Sequence, residues 1–286
     1  MPVLYSFPNV DKLTDALAAY ITKIQRDAVN KKGRFTIAIS GGSLPKTLHG
    51  LIGRPGVTWD KWYVYADPSL SPIRLEHTLI AAPGPVPAPC TPIYRHVYYA
   101  DERVVPLDHE DSNHGLCERE LYSHLNGALP ANQIHHLNPK LLNDLEELTD
   151  DYEAKLIAEF ASKDSARFPI FDLILLGMAP DGHTASMFPG HSILGENERW
   201  VVCVEDAPKP PPTRITLTLP VMNHAAHVAF VATGEGKQKV LKDALDHPEL
   251  GLPGSRVRPV LPGQLVWFVD DAASKQVDYA RTSFGV

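Results

Sequence analysis

Two apolar periods alternate along this chain, and their alternation predicts strands interleaved with helices. From Asp11 to Val29, Leu13, Ala16, Leu17, Tyr20, Ile21 and Ile24 recur at the spacing of an amphipathic helix. Gly33 breaks that pattern, and Phe35-Thr-Ile-Ala-Ile39 reads as a β-branched strand. Ser40-Gly-Gly-Ser43 turns the chain, and Pro45 stands at a first helical position before Thr47 to Leu51. His96 to Ala100 is the next strand. Ser112 can cap a helix reaching Leu125, with Leu116, Leu121, Tyr122 and Leu125 on its apolar side. A short strand or turn at Ile134 to Leu137 precedes a helix from about Asn143 to Ser162.

Phe171-Asp-Leu-Ile-Leu-Leu176 is an apolar run bounded by turn residues, which marks a strand buried on both faces. Gly177, Pro180 and Gly182 then bend the backbone, and Thr184 to Phe188 resumes a helix-like pattern. Trp200 to Val204, Arg214 to Leu219 and His227 to Ala232 are strand-like, a helix follows Lys237, and Leu265 to Val269 closes the sheet. Strands alternating with helices imply an α/β fold: a single doubly wound, mostly parallel sheet flanked by helices, Rossmann-like, in one domain over residues 1–286.

One segment departs from this pattern. Residues 63–95 carry prolines at 68, 72, 83, 85, 87, 89 and 92 and keep neither period beyond their first few positions. So long a structureless stretch inside a domain is uncommon. The bland reading is a surface insertion. The codons permit a sharper one. Trp62-Tyr63-Val64 must be encoded through GTAYGT, a 5′ splice site, and Tyr94-Arg95 permits TACAGG, an acceptor. Removing the stretch between them restores Trp62 and joins it in frame to His96. Residues 63–95 are therefore read as an irregular, Pro-rich insertion, with a translated, frame-preserving intron as the sharper alternative.

Composition narrows the class. The chain is 44% hydrophobic and 21% charged, which suits a globular protein with a sizeable core. Its net charge of −7, with no basic run, argues against nucleic-acid binding. No apolar run approaches the ~18–20 residues that span a bilayer, and no secretory leader pattern opens the chain. Cys90, Cys117 and Cys203 are few, odd in number and far apart, so a reducing, cytoplasmic setting and no disulfide framework are expected.

The candidate chemistry gathers at strand ends. Ligands of open α/β sheets bind outside the carboxyl ends of strands. Asp181 and His183 lie two residues apart in such a loop, and an imidazole with a pKa near ~6.5 suits proton transfer. Gly41, Gly42 and Ser43 offer backbone donors to an anion. Asp101 and Arg103, with Asn113 beyond them, form a second loop whose forked guanidinium suits phosphate. Arg214 and Lys237 open elements after turns and could complete a phosphomonoester pocket. No histidine pair has metal-ligand spacing, so no metal is expected.

Five of these segments, in order, resemble the 6-phosphogluconolactonases: SGGSLPKTL at 40–48, ADERVVPLDHEDSN at 100–113, LGMAPDGHTASMFPGH at 176–191, RITLTLPVMN at 214–223 and ATGEGK at 232–237. The resemblance spans nearly the whole chain except 63–95. It implies a fold related to glucosamine-6-phosphate deaminase and hydrolysis of 6-phosphoglucono-δ-lactone to 6-phosphogluconate, in the oxidative pentose phosphate pathway. It further implies that His183 is the catalytic histidine, with Asp181 and Asp101 its acidic neighbours. Arg103, Arg214, Lys237, Asn113, Gly41, Gly42 and Ser43 would be substrate and phosphate ligands. A monomer needing no cofactor, no membrane and no nucleic acid is the expectation. The alternatives are a glucosamine-6-phosphate deaminase/isomerase and a non-catalytic sugar-phosphate sensor. The deaminase would want a carboxylate soon after the histidine, and here none follows His183 before Glu196.

Overall fold

Among the described residues seven strands pair side by side, all parallel, and the central ones are buried on both faces because helices cover both. The computed structural model describes residues 1–59, 96–161 and 167–285; the expected insertion at 63–95 lies outside the described residues. The strands are β1 (Val3–Phe7), β2 (Thr36–Ile39), β3 (His96–Tyr99), β4 (Asp101–Arg103), β5 (Ile134–His135), β6 (Leu173–Gly177), β7 (Val201–Val204), β8 (Arg214–Leu217), β9 (His227–Ala232) and β10 (Gln264–Asp270). The large sheet has the order β1-β10-β9-β6-β2-β3-β5.

Alternate residues of each strand serve opposite cores. Ile37, Ile39, Leu173 and Leu175 pack with helix α1 (Val10–Lys32), through Leu13, Leu17 and Ile21. Ala38, Ile174, Leu176 and Phe230 pack on the other face with residues of α4 (Leu145–Phe160), α5 (Leu219–His224) and α6 (Gln238–Leu245). Each fully buried leucine or isoleucine contributes roughly 1.5–3 kcal/mol relative to exposure. The remaining helices are short: α2 (Leu44–Thr47), α3 (Asn113–Glu120), α7 (Pro253–Arg256) and α8 (Asp271–Ser274). Asn9 caps α1 through Lys12 N–H, and Gly33 ends it in the left-handed region at φ 73°.

Three details differ from the sequence reading. The pattern missed β1, a short edge strand, so β10 lies inside the sheet and does not close it. Strands β7 and β8 leave the large sheet and form an antiparallel three-stranded sheet with β4, in the order β4-β8-β7. Residues 184–188 are not helical. Thr184 and Met187 exchange both backbone hydrogen bonds, at 3.1 and 3.0 Å, around Ala185 at φ 50°.

The topology reverses between β2 and β6. From β2 the chain continues outward to β3, and from β6 it continues the other way to β9. Their carboxyl ends therefore open a crevice, and the loops after both strands enter it. Among the described residues, no helix is long and apolar enough to cross a membrane.

Candidate active site

The crevice between β2 and β6 is a small cleft lined by Gly41, Gly42, Ser43, Asp101, Arg103, His183 and Lys237, together with Met178 and Ala185. Of the residues singled out from sequence, Asn113, Asp181 and Arg214 are not part of the lining: Asn113 and Arg214 are buried, and Asp181 is exposed beside His183.

The first wall follows β2. Gly42 has φ 71°, a conformation that glycine alone adopts freely. Gly41 is needed for space: a Cβ there would lie 1.8 Å from Asn113 Oδ1. Asn113 cannot easily retreat, because its Nδ2 donates to the Asp101 carbonyl at 2.8 Å and the residue is buried. Its amide thus braces the turn against β4.

Asp101, at the start of β4, is 4% exposed. Ser40 Oγ donates to its Oδ1 at 2.7 Å and Ser186 Oγ to its Oδ2 at 2.9 Å. One carboxylate therefore ties the β2 turn to the histidine loop. The left-handed turn at Ala185 delivers Ser186 to it, which is why a helix does not form there.

Glu102 was not singled out from sequence, yet four donors converge on it. Asn113 N–H and Arg103 N–H donate to Oε1 at 2.7 and 2.8 Å, and His114 N–H and Ser112 Oγ to Oε2 at 2.8 and 3.2 Å. Burial pushes this carboxyl up to about 7, although three backbone donors oppose the rise. Glu102 fastens the first turn of α3 to β4. A cap residue ten positions downstream, Ser112, is the only sequence signal of it.

On the second wall, after β6, His183 Nδ1 lies 2.7 Å from Asp181 Oδ1. An ionised carboxylate only accepts, so Nδ1 carries the proton and Nε2 is left basic. Burial lowers the His183 pKa most; Lys209 adds to this, while Asp181 and Asp101 oppose it. Lys209, also missed from sequence, pairs with Asp181 Oδ2 at 2.7 Å. Burial alone would raise Asp181, but Lys209 and His183 outweigh it and bring the carboxyl to about 2. The pair is therefore a fixed anion beside a neutral imidazole.

Cations occupy the rest of the cleft. Lys237 follows β9 in a 3-10 turn opened by Gly234, whose N–H is held by Asp270 at 3.0 Å. Burial lowers the Lys237 pKa, with Asp181 opposing. Arg103 donates from Nη1 to the Asp111 carbonyl at 2.8 Å. Arg214 faces it across the β4–β8 pair but is 2% exposed. Its guanidinium donates to the carbonyls of Lys209, Pro210 and Pro211 at 3.0, 3.3 and 2.9 Å and lies over the Phe188 ring at 5.5 Å. Among the described residues, Arg103 Nε, Arg214 Nη1 and Thr184 Oγ1 are buried without a hydrogen-bond partner, and no group of three or more His, Cys, Asp or Glu is placed to hold a metal ion.

This arrangement provides a base, two carboxylates and cations around one small cleft. Comparison with known proteins bears on its use. A family model described as glucosamine-6-phosphate isomerases/6-phosphogluconolactonase matches residues 8–67 and 90–267. A probable 6-phosphogluconolactonase of Schizosaccharomyces pombe is 38% identical over 280 residues, covering 96% of both chains. The 6-phosphogluconolactonase of Rattus norvegicus is 40% identical over 270 residues, covering 94% of this chain and 91% of its own. Among solved structures, the 6-phosphogluconolactonase of Leishmania guyanensis superposes with a TM-score of 0.73 at 22% identity, covering 96% of this chain and 98% of that one. At that identity it supports the fold alone.

Proposed function

The chain belongs to the glucosamine-6-phosphate isomerase/6-phosphogluconolactonase family, and we propose that it hydrolyses 6-phosphoglucono-δ-lactone to 6-phosphogluconate with His183 as the base that activates water. The observation that carries the mechanism is the Asp181–His183 pair, 2.7 Å apart at the mouth of the β2/β6 crevice.

The step balances with side chains alone. His183 Nε2 takes a proton as water oxygen bonds to the lactone C1, and the carbonyl electrons move to its oxygen. The tetrahedral adduct then re-forms the carbonyl and breaks the bond to the ring oxygen, which receives the proton from the imidazolium. Asp181 stabilises that imidazolium and holds the ring in place. Lys237 and Arg103 supply charge for the substrate phosphate, whose binding positions C1 from a distance. Backbone N–H groups of the Gly41-Gly42 turn are the candidate donors to the developing oxyanion. The scheme calls for no metal, no organic cofactor and no second subunit; a cytosolic monomer is part of the proposal, the compartment resting on the few, widely spaced cysteines.

The deaminase reading lacks its carboxylate. Glu196, the first after Asp181 in the chain, accepts from Glu198 N–H and Arg199 N–H at 2.7 and 3.1 Å, outside the cleft lining. Acid release from the lactone, measured against its spontaneous hydrolysis, separates the readings. The protein is expected to accelerate acid release strongly and to free no ammonia from glucosamine 6-phosphate. The kcat/KM profile carries the sign of the His183 shift. The base must be neutral, and burial lowers its pKa, so the acid limb is expected below the ordinary histidine value of about 6.5, flat through neutrality. Ammonia release without lactone hydrolysis would reverse the assignment.

The same assay addresses residues 63–95. The family match leaves out residues 68–89, which supports an insertion within an otherwise single domain; a translated intron is the source proposed for it. A chain joining Trp62 to His96 is expected to fold and to match or exceed the full chain in turnover, and transcripts are expected to include the spliced form. Exclusively unspliced messages contradict the intron, and inactivity of the shortened chain contradicts a dispensable insertion.

A further inference from the structure

The turn between β7 and β8 carries a lysine that the mechanism above does not use. Lys209 Nζ meets Asp181 Oδ2 at 2.7 Å, while Asp181 Oδ1 meets His183 Nδ1 at the same distance. One carboxylate oxygen thus serves His183, through its ring Nδ1 and its backbone N–H, and the other serves Lys209. The turn is itself fastened to the histidine loop. Arg214 donates to the carbonyls of residues 209–211. Ala207 N–H donates to the Pro212 carbonyl at 3.1 Å. His191 Nε2 lies 2.8 Å from Asp206 Oδ1, and Phe188, Val204 and Ala207 form a small apolar cluster between the two segments. A half-exposed lysine on a loose turn would wander; this one is presented by a braced backbone.

We propose that Lys209 is a positioning residue: from the β7–β8 turn it clamps Asp181, so that His183 is held as a neutral base with Nε2 toward the cleft. The assignment rests on His183 being the base. Its electrostatic logic runs through the groups around the ring. Asp181 and Asp101 favour the imidazolium and Lys209 disfavours it. Lys237 and Arg214 also sense the Asp181 charge from β9's turn and from β8. Without Lys209 the two carboxylates act on the ring unopposed at close range, and the imidazole binds its proton more tightly.

Lys209→Met and Lys209→Arg test this, since a side chain 46% exposed can be exchanged without threatening the fold. For Lys209→Met the acid limb of kcat/KM is expected to move to higher pH and kcat at neutrality to fall severalfold, with KM within about twofold. Lys209→Arg is expected to restore the limb. Because Lys209 acts through Asp181, adding Lys209→Met to Asp181→Asn is expected to cost little further. NMR titration of the His183 imidazole, without substrate, is expected to show the same upward shift. An unmoved titration, additive double-mutant losses, or a raised KM with an unshifted limb each overturn the proposal; the last makes Lys209 a substrate ligand. Failure of the base assignment is distinct: it appears as retained turnover in His183→Ala, whatever the Lys209 variants do.

Discussion

Replacing His183 by alanine is expected to cost roughly 10²–10⁴-fold in kcat for lactone hydrolysis, the range of a lost general acid–base group. The same variant is expected to bind 6-phosphogluconate nearly as well as the parent, because Arg103 and Lys237, the cations proposed to hold the phosphate, line the cleft independently of the imidazole. The fold is expected to survive. His183 lies on a loop, Asp181 keeps its second partner in Lys209, and the loss is one tilted ring contact with Phe188 at 4.7 Å. Product affinity by calorimetry beside turnover by acid release gives the two numbers. A kcat within tenfold of the parent removes the base role. A parallel loss of binding makes the histidine a ligand. The change in kcat carries the meaning, since an interaction made only in the transition state lowers kcat and kcat/KM together.

That histidine was legible in the sequence for physical reasons. A strand buried on both faces leaves a continuous apolar run, and Gly177, Pro180 and Gly182 mark where it ends, so Leu173–Gly177 and its loop could be placed without neighbours. The β2 turn was legible in the same way. The small sheet was not. β7 and β8 read as strands, but nothing local sets them apart from the large sheet or marks the three residues of β4, and only their pairing sets Arg103 opposite Arg214. Read singly, both arginines look like phosphate cations; in the fold, Arg214 spends Nε and Nη2 on backbone carbonyls of the Lys209 turn and keeps only a buried Nη1 unpartnered. Residues 184–188 misled in the opposite direction. Their helical spacing is real, but Ser186 is drawn to Asp101 and Ala185 takes a left-handed conformation, a local preference overridden by a buried carboxylate. Glu102 and Lys209 were illegible because each acts on residues far along the chain through contacts that no local pattern encodes.

Glu102→Ala is expected to destabilise the protein by about 3 kcal/mol or more, the larger of the structural effects foreseen. Removing one partner so that buried donors are left unmatched costs about 1–3 kcal/mol for each group. Here the N–H groups of Arg103, Asn113 and His114 and the Ser112 hydroxyl all lose an acceptor at once. Urea unfolding with an unchanged slope measures the loss, and a shift in midpoint worth under 1 kcal/mol contradicts the role. Activity is expected to fall too, since Asn113 then loosens from the Asp101 carbonyl and Arg103 from its place above α3. The pH dependence adds an independent check. Burial raises this carboxyl from about 4.5 unfolded to about 7 folded. A group raised on folding stabilises fully below its unfolded pKa, and that contribution is lost as pH rises through the folded value. The neutral acid can keep its N–H acceptors and turn its own proton toward Ser112 Oγ. Parent stability relative to Glu102→Gln is therefore expected to be greatest near pH 4.5 and to decline toward pH 7 and above. An advantage that instead grows with pH means the ionised form is the one the fold prefers, with the converging N–H donors outweighing burial.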